Sequence, residues 1–274
     1  VTLLGHRPAD RLRQPSQPAV VAHRGASVQA PENTLAAFRR AIVLGASAVE
    51  IDVQRTRDGA LVVLHDATLT RTTDAETRLP GRGPWRVADL TYDEVATLDA
   101  GSWHDRAYAG ERAPLLREVL DLLHATGTGL LLEVKSPSSA PGIEADLHAE
   151  LRSAPGYLAD ALWEQRLVVQ SFDHDSMRRL KERAPDVPVG LLGSPPRRRL
   201  PELATWADQV NPRHRSVRAS FVDAVHDAGL ACQVWTVDRA TDMLRAAALG
   251  VDGVITNRPD VLRGLLRVPV PNAA

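Results

Sequence analysis

The chain has almost none of the chemistry that staples or anchors a protein from outside its core. Its 274 residues include one cysteine, Cys232, so no internal disulfide can form and the fold must rest on burial alone. With Ala231 and Val234 nearby, that thiol reads as a small buried apolar group. Neither sign of charge dominates: 33 Lys and Arg stand against 34 Asp and Glu. A general nucleic-acid binder needs a cationic excess to displace counterions from phosphates, so the balance argues against that class. No apolar run approaches the roughly 20 residues of a membrane span, which argues against stable membrane insertion. Residues 1–17 mix Arg, Pro and Gln and lack the apolar stretch of a signal peptide. They are expected to form a flexible arm, with the cytoplasm as the default location, although a first residue of Val leaves a processed, secreted form open. Internal repeats and low-complexity tracts are absent, and no signal sets the oligomeric state.

What is present is an alternation. With 44% hydrophobic and 24% charged residues, the composition is that of a globular domain, and the length suits a single α/β barrel of about 250 residues. Short apolar runs at 19–23, 48–53, 129–135, 167–172, 187–192, 207–211, 230–237 and 253–256 read as strands. Amphipathic patterns at 34–44, 115–125, 144–153, 176–183, 198–205, 217–227, 240–248 and 259–266 read as helices. Eight of each in turn predict a (β/α)8 TIM barrel spanning 18–270 as one domain. Asn33 is expected to cap the first helix and Gly45 to end it; Asp238 is expected to cap the helix from Ala240, and Gly250 to close it. Residues 53–113 break the alternation between the second strand and the second helix. A connection that long is usually functional, and it is predicted to be an insertion on the catalytic face that opens with a hairpin.

The chemistry begins with Ala-Val-Glu-Ile-Asp-Val at 48–53. Residues two apart on a strand share a face, so Glu50 and Asp52 point together, away from Val49, Ile51 and Val53. Close like charges are costly to desolvate without a cation between them. Taken alone, the pair is equally well explained by a structural ion pair with Arg55, Arg57 or Lys135. Downstream, Asp58-Gly59 is the preferred two-residue hairpin loop. That turn would pair Arg57 with Ala60 and set His65 opposite Asp52; a slip of one residue would turn the imidazole to the other face. The plainer reading of His65 is a partner for Asp66. Glu133 interrupts another apolar strand and has Lys135 as its local partner. His23 closes the first strand, and strand C-termini are where barrels of this kind place their sites. Three converging carboxylates suit a hard divalent cation, Ca²⁺ or Mg²⁺, better than zinc. The remaining histidines, among them His214 and His226, have no converging carboxylates and read as surface residues.

These residues resemble the glycerophosphodiester phosphodiesterase family, part of the phospholipase C-like phosphodiesterase barrels. The likeness runs from 20 to about 266 and rests on His23-Arg24-Gly25, Pro31-Glu32-Asn33-Thr34, Glu50 and Asp52, Thr56-Arg57-Asp58-Gly59 and His65-Asp66. It continues in Glu133-Val134-Lys135, Gln170-Ser171-Phe172, Val234-Trp235-Thr236 and Gly253-Val254-Ile255-Thr256-Asn257. The family's usual acidic residue before the Glu-x-Asp strand is Ser47 here. The resemblance implies a metal-dependent enzyme that hydrolyses glycerophosphodiesters, as small-molecule substrates, to glycerol 3-phosphate and an alcohol. It also implies roles: Glu50, Asp52 and Glu133 as ligands of one divalent cation, His23 and His65 as acid and base, Arg24 and Lys135 on the phosphate, and Trp235 as a wall of the pocket. Attack by water and attack by a neighbouring glycerol hydroxyl are both compatible with it. The competing readings are a phospholipase C/D-like or lysophospholipase D enzyme on the same fold, and a catalytically inactive ligand-binding barrel. The first predicts an apolar insertion; Trp85, Trp103 and Tyr108 lie among charges such as Arg82, Arg86, Asp105 and Arg106, which favours a water-soluble substrate.

Overall fold

Along each predicted strand, side chains alternate between two environments, and the fold shows what they are. In the computed structural model, which describes residue 3 and residues 17–267, eight parallel strands close into a barrel. They are β1 (Ala19–His23), β2 (Ala48–Arg55), β4 (Gly129–Val134), β5 (Leu167–Ser171), β6 (Val189–Leu192), β7 (Gln209–Asn211), β8 (Ala231–Val234) and β9 (Gly253–Thr256). β9 pairs back onto β1, which closes the ring, and β3 (Leu61–Val63) pairs antiparallel with Val53–Arg55, the end of β2 that extends beyond the residues paired with β1. One set of side chains, including Val49, Ile51, Leu130, Leu132, Val169 and Val254, faces outward into the core shared with the surrounding helices. The other set fills the barrel interior: Ala19, Val21, Ala48, Leu131, Val168 and Ile255 at its lower levels, charged groups at its C-terminal mouth. Cys232 is fully buried, as its neighbours suggested, and burial pushes its thiol pKa up.

Leu3 belongs to the interior set. Its side chain packs with Val21, Leu131 and Val168, and its carbonyl accepts hydrogen bonds from the amides of Gln209 and Gln233. Of the rest of the expected arm, only Gln17 lies among the described residues.

Three local expectations need correction. The helix Leu35–Val43 is capped by Thr34, whose hydroxyl accepts from Ala37 N at 3.3 Å, while Asn33 sits in the left-handed region with its side chain turned to Asp52. Gly45, at φ +77°, does follow that helix. Asp238 makes no cap for Ala240–Ala248, because its carboxylate is engaged by Thr256 at the end of β9 and by Asn257 just after it. The hairpin loop has three residues, not two. Thr56 N donates to Ala60 O at 2.9 Å and Gly59 N to Thr56 O at 3.1 Å, with Gly59 at φ +90°. Val53 therefore pairs with Val63 and Gln54 with Val62, so that Leu64, not His65, lies across from Asp52.

The insertion has a small core of its own, built on Val62, Leu64, Leu69, Leu90, Val95 and Leu98. It lies on the catalytic face, where Tyr108 donates to Gln29 O at 2.8 Å in the loop after β1. A helix at Pro155–Trp163, not anticipated, follows a Pro at its first turn. Among the described residues no helix is long and apolar enough to cross a membrane.

Candidate active site

Strand register brings the charged side chains together. His23 aligns with Glu50 across β1 and β2, and Asp52 with Glu133 across β2 and β4. One oxygen from each of Glu50, Asp52 and Glu133 lies within 4.8 Å of the others, and all three residues are buried. Arg24 and Lys135 flank them. Arg24 places Nε 3.2 Å from Asp52 Oδ2 and NH1 2.8 Å from Glu32 Oε1, and its backbone N donates to Glu50 Oε2 at 3.0 Å. Lys135 Nζ donates to Glu133 Oε1 at 2.7 Å and stands 3.5 Å from Asp52 Oδ1. The local Glu133–Lys135 pairing thus forms inside the site, whereas Arg55 turns away to Asp146 at 2.6 Å.

Burial and mutual repulsion favour the protonated forms of the Glu50 and Glu133 carboxyls. Burial first, then the charges of Asp52 and Glu133, hold the Glu50 carboxyl well above its usual range. Burial and Asp52 push Glu133 up to about 7 despite the opposing pull of Lys135. Asp52 Oδ1 is buried and has no hydrogen-bond partner among the described residues. An orphaned acceptor inside a ring of hard oxygen ligands fits a divalent cation.

His23 is half-buried. Its Nδ1 meets Asn257 Oδ1 at 2.7 Å and its Nε2 lies 4.0 Å from Glu50 Oε2. Burial, then the Arg24 charge, lower its pKa to about 4. His65 reaches the same pocket by a route the sequence did not suggest. The chain leaves β3 after Val63, and the Gln54 amide donates to Leu64 O at 2.8 Å and to Asp66 O at 2.6 Å, clamping the backbone on both sides of the imidazole. Its Nδ1 is held by Asp66 Oδ1 at 2.5 Å. Arg71 then joins Asp66 (Nε to Oδ2, 2.5 Å) to Glu32 (NH1 to Oε2, 2.9 Å), and Glu32 holds Arg24. Hydrogen bonds from Arg71, working against burial, lower the Asp66 pKa to about 2.

Gln54 and Arg71 were not singled out from the sequence. Gln54 was detectable as a polar residue continuing the Glu50, Asp52 face; Arg71 lies in irregular chain with no pattern to mark it. His214 is buried and His226 bonds Asp252 at 2.9 Å, so these two are structural rather than surface residues.

The pocket holds about 110 Å³ between His23, Arg24, Glu50, His65, Glu133 and Lys135 on one side and Gln170, Phe172 and Trp235 on the other. Trp235 is fixed by its Nε1 donating to Asn211 O at 2.7 Å and meets Phe172 edge-on, ring centroids 5.6 Å apart. All eight residues expected at the site meet there, with Asp52 just beneath the lining.

Two cationic side chains beside a hard-oxygen cradle suit a phosphate ester, and paired imidazoles suit proton transfer to its oxygens. The class so defined is a phosphoester hydrolase on a TIM barrel. Residues 23–261 match the glycerophosphoryl diester phosphodiesterase family, and the chain belongs to it. It is similar to the glycerophosphodiester phosphodiesterase of Caldanaerobacter subterraneus subsp. tengcongensis, 38% identical over 256 residues that cover 90% of this chain and 97% of that one. Among solved structures it resembles an Oleispira antarctica phosphodiesterase in complex with the product sn-glycerol-3-phosphate, at 28% identity, TM-score 0.77 and coverage of 92% and 98%. It also resembles the glycerophosphodiester phosphodiesterase of Agrobacterium tumefaciens str. C58, at 27% identity, TM-score 0.73 and coverage of 90% and 99%. The chain is an enzyme, a phosphoric diester hydrolase.

Proposed function

We propose that this chain hydrolyses glycerophosphodiesters to glycerol 3-phosphate and an alcohol, with His23 and His65 transferring the protons and Glu50, Asp52 and Glu133 holding one hard divalent cation, Ca²⁺ or Mg²⁺. The observation that carries the reading is the carboxylate ring flanked by two cationic side chains and two imidazoles in a single pocket. Ionised together, the three carboxylates against Arg24 and Lys135 would carry one net negative charge, which repels a phosphodiester monoanion and disfavours that state without a cation. A bound divalent cation would reverse that sign and polarise a phosphoryl oxygen.

Arg24 and Lys135 meet the non-bridging oxygens as charge builds on them. His23, neutral at pH 7 and with Nδ1 already engaged, offers the Nε2 lone pair to the attacking hydroxyl. His65, entering the step protonated and steadied by Asp66, gives its own Nε2 proton to the leaving alkoxide, and exchange with solvent afterwards resets both imidazoles. Trp235 and Phe172 line the apolar side, where the glycerol carbons fit. A water-soluble substrate is favoured because Trp85 and Tyr108 are tucked in by hydrogen bonds to Leu79 O and Gln29 O, leaving Trp103 as the exposed aromatic of the insertion.

The test is product identity. Glycerophosphocholine should yield glycerol 3-phosphate and choline, and a lysophospholipid should turn over more slowly. Release of phosphocholine, or faster turnover of the lysophospholipid, contradicts the proposal.

A further inference from the structure

Asp238 stands two residues before the helix Ala240–Ala248, where an aspartate ordinarily caps; the observed N-cap, Arg239, makes no side-chain cap. The carboxylate is spent on the neighbouring strand end instead. Oδ1 accepts from Asn257 N at 2.8 Å and from Thr256 Oγ1 at 3.1 Å, and Oδ2 accepts from Asn257 Nδ2 at 2.7 Å. A carboxylate only accepts, so it dictates which end of the Asn257 amide it faces: the NH₂. The amide oxygen is thereby turned to His23 Nδ1 at 2.7 Å. An oxygen there obliges Nδ1 to carry the proton and leaves Nε2 as the acceptor on the Glu50 side. Ser27 Oγ, 2.9 Å from both Asn257 Oδ1 and His23 O, has one proton to give; it can donate to Asn257 Oδ1, or donate to His23 O and accept from a turned Asn257 NH₂, so it does not fix the amide orientation. Asp238 decides it.

We propose that Asp238 is a positioning residue for His23, acting through Asn257 to fix the tautomer and orientation of the imidazole. This rests on the reading of His23 as a proton-transfer group. The arrangement makes a specific demand: polarity along the line from 238 to 257 to His23 matters, and the shape of the two side chains does not.

Asp238→Asn preserves shape and removes the acceptor facing Asn257 Nδ2. The Asn257 amide then turns, its NH₂ meets His23 Nδ1, and the imidazole proton moves to Nε2. The expected loss in kcat is about 10²–10⁴-fold, the usual worth of a general base, with KM little changed because neither residue touches substrate. Adding Asn257→Asp to that variant restores an oxygen toward His23 and a donor–acceptor match with 238, and most of the lost kcat should return. A structural role alone predicts no such rescue. In parallel, ¹⁵N-histidine NMR should show His23, assigned by its absence in His23→Ala, as the Nδ1–H tautomer in the native chain and as Nε2–H in Asp238→Asn. Near-native kcat in Asp238→Asn, or an unchanged tautomer, overturns the proposal, as does a folded double variant no faster than the single one. If His23→Ala itself keeps kcat, the proton-transfer reading falls as well; if it loses kcat while Asp238→Asn does not, only the positioning role is wrong.

Discussion

Asp52 has its two oxygens in different company. Oδ2 accepts from Asn33 Nδ2 at 2.8 Å and has the Arg24 guanidinium in charge contact, Nε at 3.2 Å, while Oδ1 faces Lys135 with no hydrogen bond among the described residues. Asn33 and Arg24 therefore aim the free oxygen, and both adopt left-handed backbone to do so, at φ 58° and 57°. Such conformations cost on the order of 1–3 kcal/mol each and persist where the surroundings impose them. Asn33→Ala should weaken divalent-cation binding by about 10–100-fold, the usual effect of losing a partner that orients a ligand. Titration calorimetry on the metal-free protein measures this directly, and unchanged affinity would separate Asn33 from the site.

The hairpin shows how an element can be legible while its register is not. Asp58-Gly59 marked the turn, but Thr56 extends the loop by one residue: its hydroxyl donates to Asp58 Oδ1 at 2.6 Å and accepts from Ala60 N at 2.9 Å. Gly59 takes the left-handed position of a three-residue loop and has no atom within 4 Å of where a Cβ would stand. The cost of substitution there is conformational, not steric. Gly59→Val should lower Tm and kcat together, by moving the strand that leads to His65 and the Gln54 clamp upon it, whereas Gly59→Asn should be milder because Asn visits φ > 0 more readily. Equal Tm and kcat for the two variants would refute this account of the turn. The carboxylates on β2 and β4 were readable because period-two alternation is local. The roles of Asp238 and Asn33 were not, since each looked like a helix cap within its own window and found its partner on another strand. Arg71 had no periodic context, and only the folded insertion brings it to Glu32 and Asp66.

For the molecule as a whole, the interior charges set how stability responds to pH. In the metal-free protein the Glu133 carboxyl is raised from 4.5 to about 7, so the folded state binds this proton more tightly than the unfolded chain does. That contribution is fully present below pH 4.5 and is lost as pH rises through about 7. Glu50 shifts in the same direction. Stabilisation by a saturating divalent cation, which takes the place of the protons, should therefore grow across the same window; Tm measured with and without cation from pH 5 to pH 8 checks it. Asp66 acts on the other limb, its stabilisation lost only as pH falls below 3.8 toward about 2. The fold, the ring of carboxylates and the paired imidazoles meet in one claim: phosphodiester cleavage here needs both the cation cradle and the two histidines. Glycerol 3-phosphate release from glycerophosphocholine, followed in chelator, after cation is restored, and in His23→Ala and His65→Ala, tests that claim most directly. The account predicts no release in chelator, recovery on adding Ca²⁺ or Mg²⁺, and a loss of about 10²–10⁴-fold in each folded variant with cation present. Undiminished release in chelator, or near-native kcat in either variant, would contradict it.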